Sequence, residues 1–281
     1  MARITFDIAA VHDPAQWLHS HLVMEISQHI FSYAVISQEK KLVQLRFYEM
    51  DARYNHELAE ELEGIIHTDE IIKTAVDKKT FVYNFSESQL VPEQYFNTDG
   101  SKDLIELLHG DLNTGITLSE KVQGGEYYNI YQVPAEIHNL FQQNFGDSKY
   151  WHYYSLWPAA EQQQEDRPAS YLSVLFYPNR ILASVVKDNQ LHLLQSYSYE
   201  AAEDVAYYLL NVCRQLQLPP ENVPVILSGM IDVSSVLYTE IYKYFGQLSL
   251  AQFSIVSSNP ALDGYPPHFF SPLMKMALCV S

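Results

Sequence analysis

Positive charge is scarce in this chain of 281 residues. Lys and Arg number 17 against 34 Asp and Glu, for a net charge of −17. Neutralising phosphates takes clustered cations, so this balance argues against nucleic acid or an anionic lipid surface as partner. Cysteine is nearly absent, with Cys213 and Cys279 the two examples. Their spacing fits no zinc or redox motif. Both lie in apolar stretches of helical character, where a free thiol behaves as a small hydrophobe. No run approaches 18 uncharged apolar residues, so no membrane insertion is expected. The opening segment MARITFDIAAVHDPAQW has no long apolar core, so no secretory signal is expected and the expected location is cytoplasmic.

The chain has ample apolar material. Hydrophobic residues make up 47% of it and charged residues 18%, which suits two globular domains of ordinary size. Tyrosine is abundant at 21 residues. Tyrosine favours half-buried strands, and it is also enriched at protein interfaces.

One pattern occurs twice. Residues 22–48 (LVMEISQHIFSYAVISQEKKLVQLRFY) and 171–197 (YLSVLFYPNRILASVVKDNQLHLLQSY) each read as strand, polar turn, strand, charged turn, strand. The charged turns Gln38–Lys41 and Lys187–Gln190 lie about 149 positions apart, and Leu42 then matches Leu191. An amphipathic helix follows each copy, over 56–67 and 200–216. Internal repetition of this kind predicts two similar halves. The expected domains are 1–157 and 170–281. Pro158–Ala169 (PAAEQQQEDRPA) reads as an exposed linker, because it is polar and bracketed by prolines.

Between the copies, Thr80–Phe85 reads as a strand and Pro92 as the opening of a short helix. Tyr127–Val133 reads as a strand, Pro134–Phe145 as a helix and Tyr150–Trp157 as the closing strand of the first half. After the second copy, Val223–Leu227 is a short apolar strand of the kind found inside a sheet. Ser234–Phe245 and Ser271–Val280 read as helices, and Ala251–Val256 as a strand.

Three antiparallel strands, a helix and a central strand, in duplicate, resemble the actin-like ATPase superfamily. Within it, Phe81–Phe96 (FVYNFSESQLVPEQYF), with its Leu90-Val91-Pro92 motif, resembles a bacterial family of uncharacterised proteins with a degenerate actin-like fold. The layout is more distantly similar to the assembly-platform proteins of pili and type II secretion. The resemblance implies an α/β fold of two ribonuclease-H-like halves, each a mixed sheet with three antiparallel strands plus helices.

In active members, two hairpin turns grip the phosphates of Mg-ATP and a Gly-Gly turn holds the adenosine. The resemblance puts Glu25 where an Asp is expected, Ser27 where a Gly is expected, and His29 in the same turn. In the second turn it puts Val174 at the acid position, with Pro178 following. Ser228-Gly229 keeps one glycine of the adenosine turn. A magnesium–nucleotide site lacking its second carboxylate is weak. The expected function is therefore a noncatalytic scaffold or adaptor that binds a protein partner and needs no cofactor. The alternative is an ATPase or phosphotransferase using ATP and Mg through Glu25, Ser27, His29, Ser228 and Gly229.

Other motifs carry less. His109-Gly110-Asp111-Leu112-Asn113 looks like a kinase catalytic loop, but position 116 is Ile where a magnesium-binding Asn belongs. Gly110 reads better as a helix C-cap. His19 and His21, with His12 nearby, lack a further metal ligand. Leu227-Ser228-Gly229 lacks the flanking glycines of a nucleophile elbow. Gly124-Gly125 reads as a turn.

Overall fold

The computed structural model describes residues 2–10, 17, 19–74, 76–110, 115–162, 167–252 and 260–280. The chain divides into two compact units. The first comprises Met1–Gln163, Asn259–Ala261 and Leu273–Ser281, and the second Gln164–Ser258 and Leu262–Pro272.

The first unit opens with β1 (Arg3–Ala9), β2 (His21–Ile26), β3 (Ile30–Ile36) and β4 (Leu42–Glu49). Helix α1 (Asn55–Thr68) and the single turn α2 (Glu70–Lys73) follow, then β5 (Lys78–Tyr83). The chain continues through β6 (Ser88–Pro92), α3 (Ser101–His109), β7 (Gly115–Lys121), β8 (Tyr127–Pro134), α4 (Ala135–Asn144), β9 (Lys149–His152) and α5 (Tyr153–Gln162). A six-stranded sheet runs β1-β4-β3-β2-β5-β9, and β6-β8-β7 form a separate antiparallel sheet. The pairs β2–β5 and β5–β9 are parallel and the others in the large sheet antiparallel.

The period-two pattern explains the core. Leu22, Met24 and Ile26 join Phe31, Tyr33 and Val35 on one sheet face, against Leu58, Leu62, Ile65 and Ile66 of α1 and Ile137 and Phe141 of α4. The start of α1 is held by Glu57, whose carboxylate accepts from the amides of Arg53 (2.8 Å) and Tyr54 (3.3 Å). Asp69, at the far end of α1, accepts from Tyr33 Oη, Tyr48 Oη and Arg46 Nη1 at 2.6–2.9 Å. That buried carboxylate ties β3 and β4 to the helix.

The second unit contains β10 (Tyr171–Phe176), β11 (Arg180–Lys187), β12 (Gln190–Ser198), α6 (Ala202–Leu216), β13 (Pro224–Gly229), α7 (Val236–Tyr242) and β14 (Gln247–Leu250). Its sheet runs β12-β11-β10-β13-β14, with β13 parallel to both neighbours. Asp204 accepts from the amides of Glu200 and Ala201 at the start of α6, as Glu57 does at α1. The last helix, α8 (Pro267–Val280), has its residues through Pro272 in the second unit and the rest in the first.

Several sequence expectations need correction. The short helix expected to open at Pro92 is a single 3-10 turn at Glu93–Tyr95, while Leu90, Val91 and Pro92 itself lie in β6, paired with Asn129, Tyr128 and Tyr127. The strand expected over 150–157 stops at His152, and Tyr153–Gln162 is helical. Pro158, Ala160 and Glu161 are therefore buried, not linker. Pro158 lies inside this helix, where its ring has no N–H to bond back to Tyr154 O. Residues 163–166, most of the strand expected over 251–256, His12 and Asp111–Asn113 lie outside the described residues. Gly110 caps α3 at φ +85°, as expected.

Candidate functional site

The two hairpin turns named from sequence can be built residue by residue. In the first unit, β2 ends at Ile26 and β3 begins at Ile30. Ser27 closes the turn: its amide donates to Ile30 O (2.9 Å), and its hydroxyl accepts from Ile30 N (3.2 Å). His29 O accepts from Met50 N (2.8 Å), fastening the turn to the end of β4. Glu25, 3% exposed, lies on β2 between Ser32 and Val82 of the flanking strands. Asn84 Nδ2 donates to Glu25 Oε1 at 2.8 Å. The acid therefore sits beside a fully buried amide at the end of β5.

In the second unit the corresponding turn has the same backbone bonds. Tyr177 N donates to Arg180 O (2.8 Å), and Tyr199 N donates to Asn179 O (2.9 Å). The register fixes the residue facing the acid position. Glu25 pairs with Ser32, and it is Leu175 that pairs with Leu182 in the same place. The acid position is thus Leu175 rather than Val174, and both are buried apolar residues. The side chains of the second turn pack on each other, with the Arg180 guanidinium 4.9 Å from the Tyr177 ring centroid. Tyr199 Oη donates to Tyr177 O at 2.8 Å.

Ser228 and Gly229 end β13. Gly229 has φ +78°, and a Cβ there would lie 2.4 Å from Phe176 O and 2.5 Å from Leu175 Cδ1. Only glycine allows β13 to approach β10 this closely. Ser228 is 3% exposed, and its hydroxyl has no hydrogen-bond partner among the described residues.

A second polar cluster was not anticipated from sequence. Glu120 on β7 accepts from the amide of His152 (2.7 Å) and faces Tyr131 Oη (3.4 Å). Asn129 bridges Ser88 Oγ (2.7 Å) and Ser155 Oγ (3.1 Å). Burial raises the Glu120 carboxyl to about 7, with hydrogen bonds from Ser155, His152 and Tyr131 opposing it. His152 is no free base. Its Nδ1 accepts from Tyr154 N (3.1 Å), which leaves Nε2 to donate to Phe85 O (3.2 Å). The sequence clue was faint: one acid in the half-apolar strand GITLSEK.

Among the described residues no group of three His, Cys, Asp or Glu side chains is placed to hold a metal ion, and no helix is long and apolar enough to cross a membrane.

The model of a family described as "Protein of unknown function (DUF3822)" matches residues 12–248. The chain belongs to this family. No curated protein matches it. Among solved structures it is similar to a Bacteroides thetaiotaomicron protein described as having an actin-like ATPase fold and unknown function. That likeness has 16% identity and a TM-score of 0.78, covering 96% of this chain and 99% of the other. It is also similar to the PilM–PilN type IV pilus biogenesis complex (12% identity, TM-score 0.54, 92% and 96% covered). A third likeness is to the ethanolamine utilization protein EutJ from Carboxydothermus hydrogenoformans (8% identity, TM-score 0.50, 96% and 92% covered). The fold is that of the actin-like ATPases, as the sequence resemblance implied.

Proposed function

We propose that this chain is a noncatalytic scaffold or adaptor in the cytoplasm, a pseudo-ATPase in which an internally duplicated actin-like fold persists without a working nucleotide site. The observation that carries this reading is the second turn. Leu175 supplies no carboxylate, Pro178 has no N–H to offer a phosphate, and Tyr177 and Arg180 occupy each other. Matching bulges and turn bonds in the two units support the duplication. The β3–β4 register shifts at Val35/Ile36 and the β11–β12 register at Val185/Val186.

A protein partner fits the surface. Tyr207, Val236, Tyr242 and Tyr244 in and beside α6 and α7 are exposed, as are Tyr95, Leu107 and Leu108 in and before α3. The likeness to PilM, which occurs in a complex with PilN, is in keeping with such a role. Neither nucleic acid nor membrane insertion is part of the reading.

The second reading is an ATPase or phosphotransferase acting on ATP and Mg through Glu25, Ser27, His29, Ser228 and Gly229. The observation in its favour is the buried Glu25–Asn84 pair beside a tight turn. Each missing charge-assisted contact removes about 1.5–3 kcal/mol. Losing two of them moves a micromolar site, about −8.2 kcal/mol, towards the millimolar range. Isothermal titration calorimetry with Mg-ATP decides between the readings. The scaffold reading expects no saturable heat below about 1 mM; a dissociation constant under about 10 micromolar, weakened by Glu25→Gln, would replace it with the enzyme reading.

A further inference from the structure

The parallel strands β2, β5 and β9 of the first unit begin side by side, at the end of the sheet away from the Ser27 turn. Their register places four side chains on one face. His21 pairs with Lys78, Thr80 pairs with Lys149, and Lys78 and Thr80 alternate onto the same side of β5. These residues line a cavity of about 450 Å³, with Val76, Phe145 and Val280 as apolar walls and Ser148 from the turn before β9.

The charges here run against those of the whole chain. Lys78, Lys79 and Lys149 line the cavity, and two acids do, Asp77 and Asp147. Lys79 is engaged: its ammonium donates to Ile72 O (2.9 Å) and lies 5.0 Å from the Phe145 ring centroid. Asp77 accepts from His19 Nδ1 at 3.2 Å. Lys78 and Lys149 make no ion pair or hydrogen bond among the described residues, and both act electrostatically on His21, in a cavity that Asp77 and Asp147 also line.

His21 supplies an independent sign of a missing ligand. It is 6% exposed, and its Nε2 lies 2.8 Å from Thr80 Oγ1. Its Nδ1 is buried with no partner among the described residues. A buried ring nitrogen without a partner is costly and unusual. Burial, then Lys78 and then Lys149, push its pKa down to about 4, so the ring is neutral and already feels the positive field.

We propose that this cavity binds the phosphoryl dianion of a small phosphomonoester. Lys78 and Lys149 neutralise its two charges, while Thr80, Ser148 and His21 provide hydrogen-bonding groups around it. The apolar walls accept the organic part, and the volume falls within the range of small-molecule sites. The site is separate from the Ser27 turn, so it stands or falls independently of the scaffold reading.

The test is an amide NMR titration of the full chain with inorganic phosphate and with phenyl phosphate, at constant ionic strength with chloride as reference. Saturable shifts are expected at Lys78, Ser148 and Lys149, with a dissociation constant of about 1 mM for phosphate and a lower one for phenyl phosphate. Lys78→Ala/Lys149→Ala should weaken binding by at least about tenfold. Lys78→Arg/Lys149→Arg should retain it within about threefold, because arginine keeps the charge. Both lysines are exposed, so folding is retained and unchanged amide spectra elsewhere verify it. Shifts that chloride reproduces, that do not saturate, or that survive the alanine pair would overturn the proposal.

Discussion

Replacing Glu120 by Gln should make the protein less sensitive to alkaline pH. In the folded state this carboxyl is raised from its ordinary 4.5 to about 7, chiefly by burial. A group held this way binds its proton more tightly folded than unfolded. It therefore costs nothing below about pH 4.5, and stability drains away as pH rises through 7. The full shift corresponds to about 3 kcal/mol at 1.36 kcal/mol per tenfold change in acidity. Glu120 keeps partial contact with water, which screens its charge, so about 1.5–2 kcal/mol is the realistic effect. Glutamine preserves an oxygen for the His152 amide and presents an NH₂ that Tyr131 Oη accepts. The assay is urea unfolding of both proteins at pH 5 and pH 8. Comparing the two at each pH cancels the opposite contribution of His21, whose lowered pKa removes stability as pH falls from about 6.5 towards 4. Glu120→Gln should be neutral at pH 5 and stabilising at pH 8. A difference between the proteins that is the same at both pH values would refute the reasoning.

Other perturbations have equally definite outcomes. Gly229→Ala should destabilise by about 2 kcal/mol or more in urea, because it adds a Cβ against Phe176 O at positive φ. Lys275 Nζ donates to Glu161 Oε1 at 3.1 Å, with both side chains less than 8% exposed. Lys275→Met should cost about 3–5 kcal/mol, while Glu161→Leu/Lys275→Met should recover most of it, since an apolar pair carries no desolvation penalty. Asp69→Ala should cost about 3 kcal/mol by orphaning the two buried tyrosine hydroxyls and one guanidinium N–H, read as a lowered urea midpoint with an unchanged slope.

The repeated strands were legible because both chemical signals agreed in them. Leu22–Ile26 and Tyr171–Phe176 are apolar runs of strand length closed by polar turns, and the structure places strands there. Failures came where short-range signals were ambiguous. Tyr150–Trp157 is rich in Tyr and Trp, and such runs suit either a strand or a buried helix. The chain turns helical at Tyr153, where Tyr154 N bonds back to the His152 ring. Pro92 reads as a helix start, and it does precede the 3-10 turn Glu93–Tyr95, but its pairing with Tyr127, distant in sequence, also makes it the end of β6. The turn residues Ser27 and Gly229 could be named from sequence, but their burdens could not. The glycine answers to a backbone approach from β10, a contact that no local pattern encodes. Glu120 was invisible for a similar reason: its environment is assembled from β8, β9 and α5.

The division of α8 bears on how the chain is made. Synthesis runs from the N-terminus, so β1 through α5 emerge long before Lys275. Until the last helix is delivered, the Glu161 carboxylate lacks the ammonium partner that stands 114 residues downstream. The nascent first unit therefore has reason to keep α5 loose until α8 has been made. Fragments cut near residue 163 inherit the same defect permanently. An expressed N-terminal half should be recovered in native-like form by adding a peptide spanning α8, but not by the second unit truncated before Leu273.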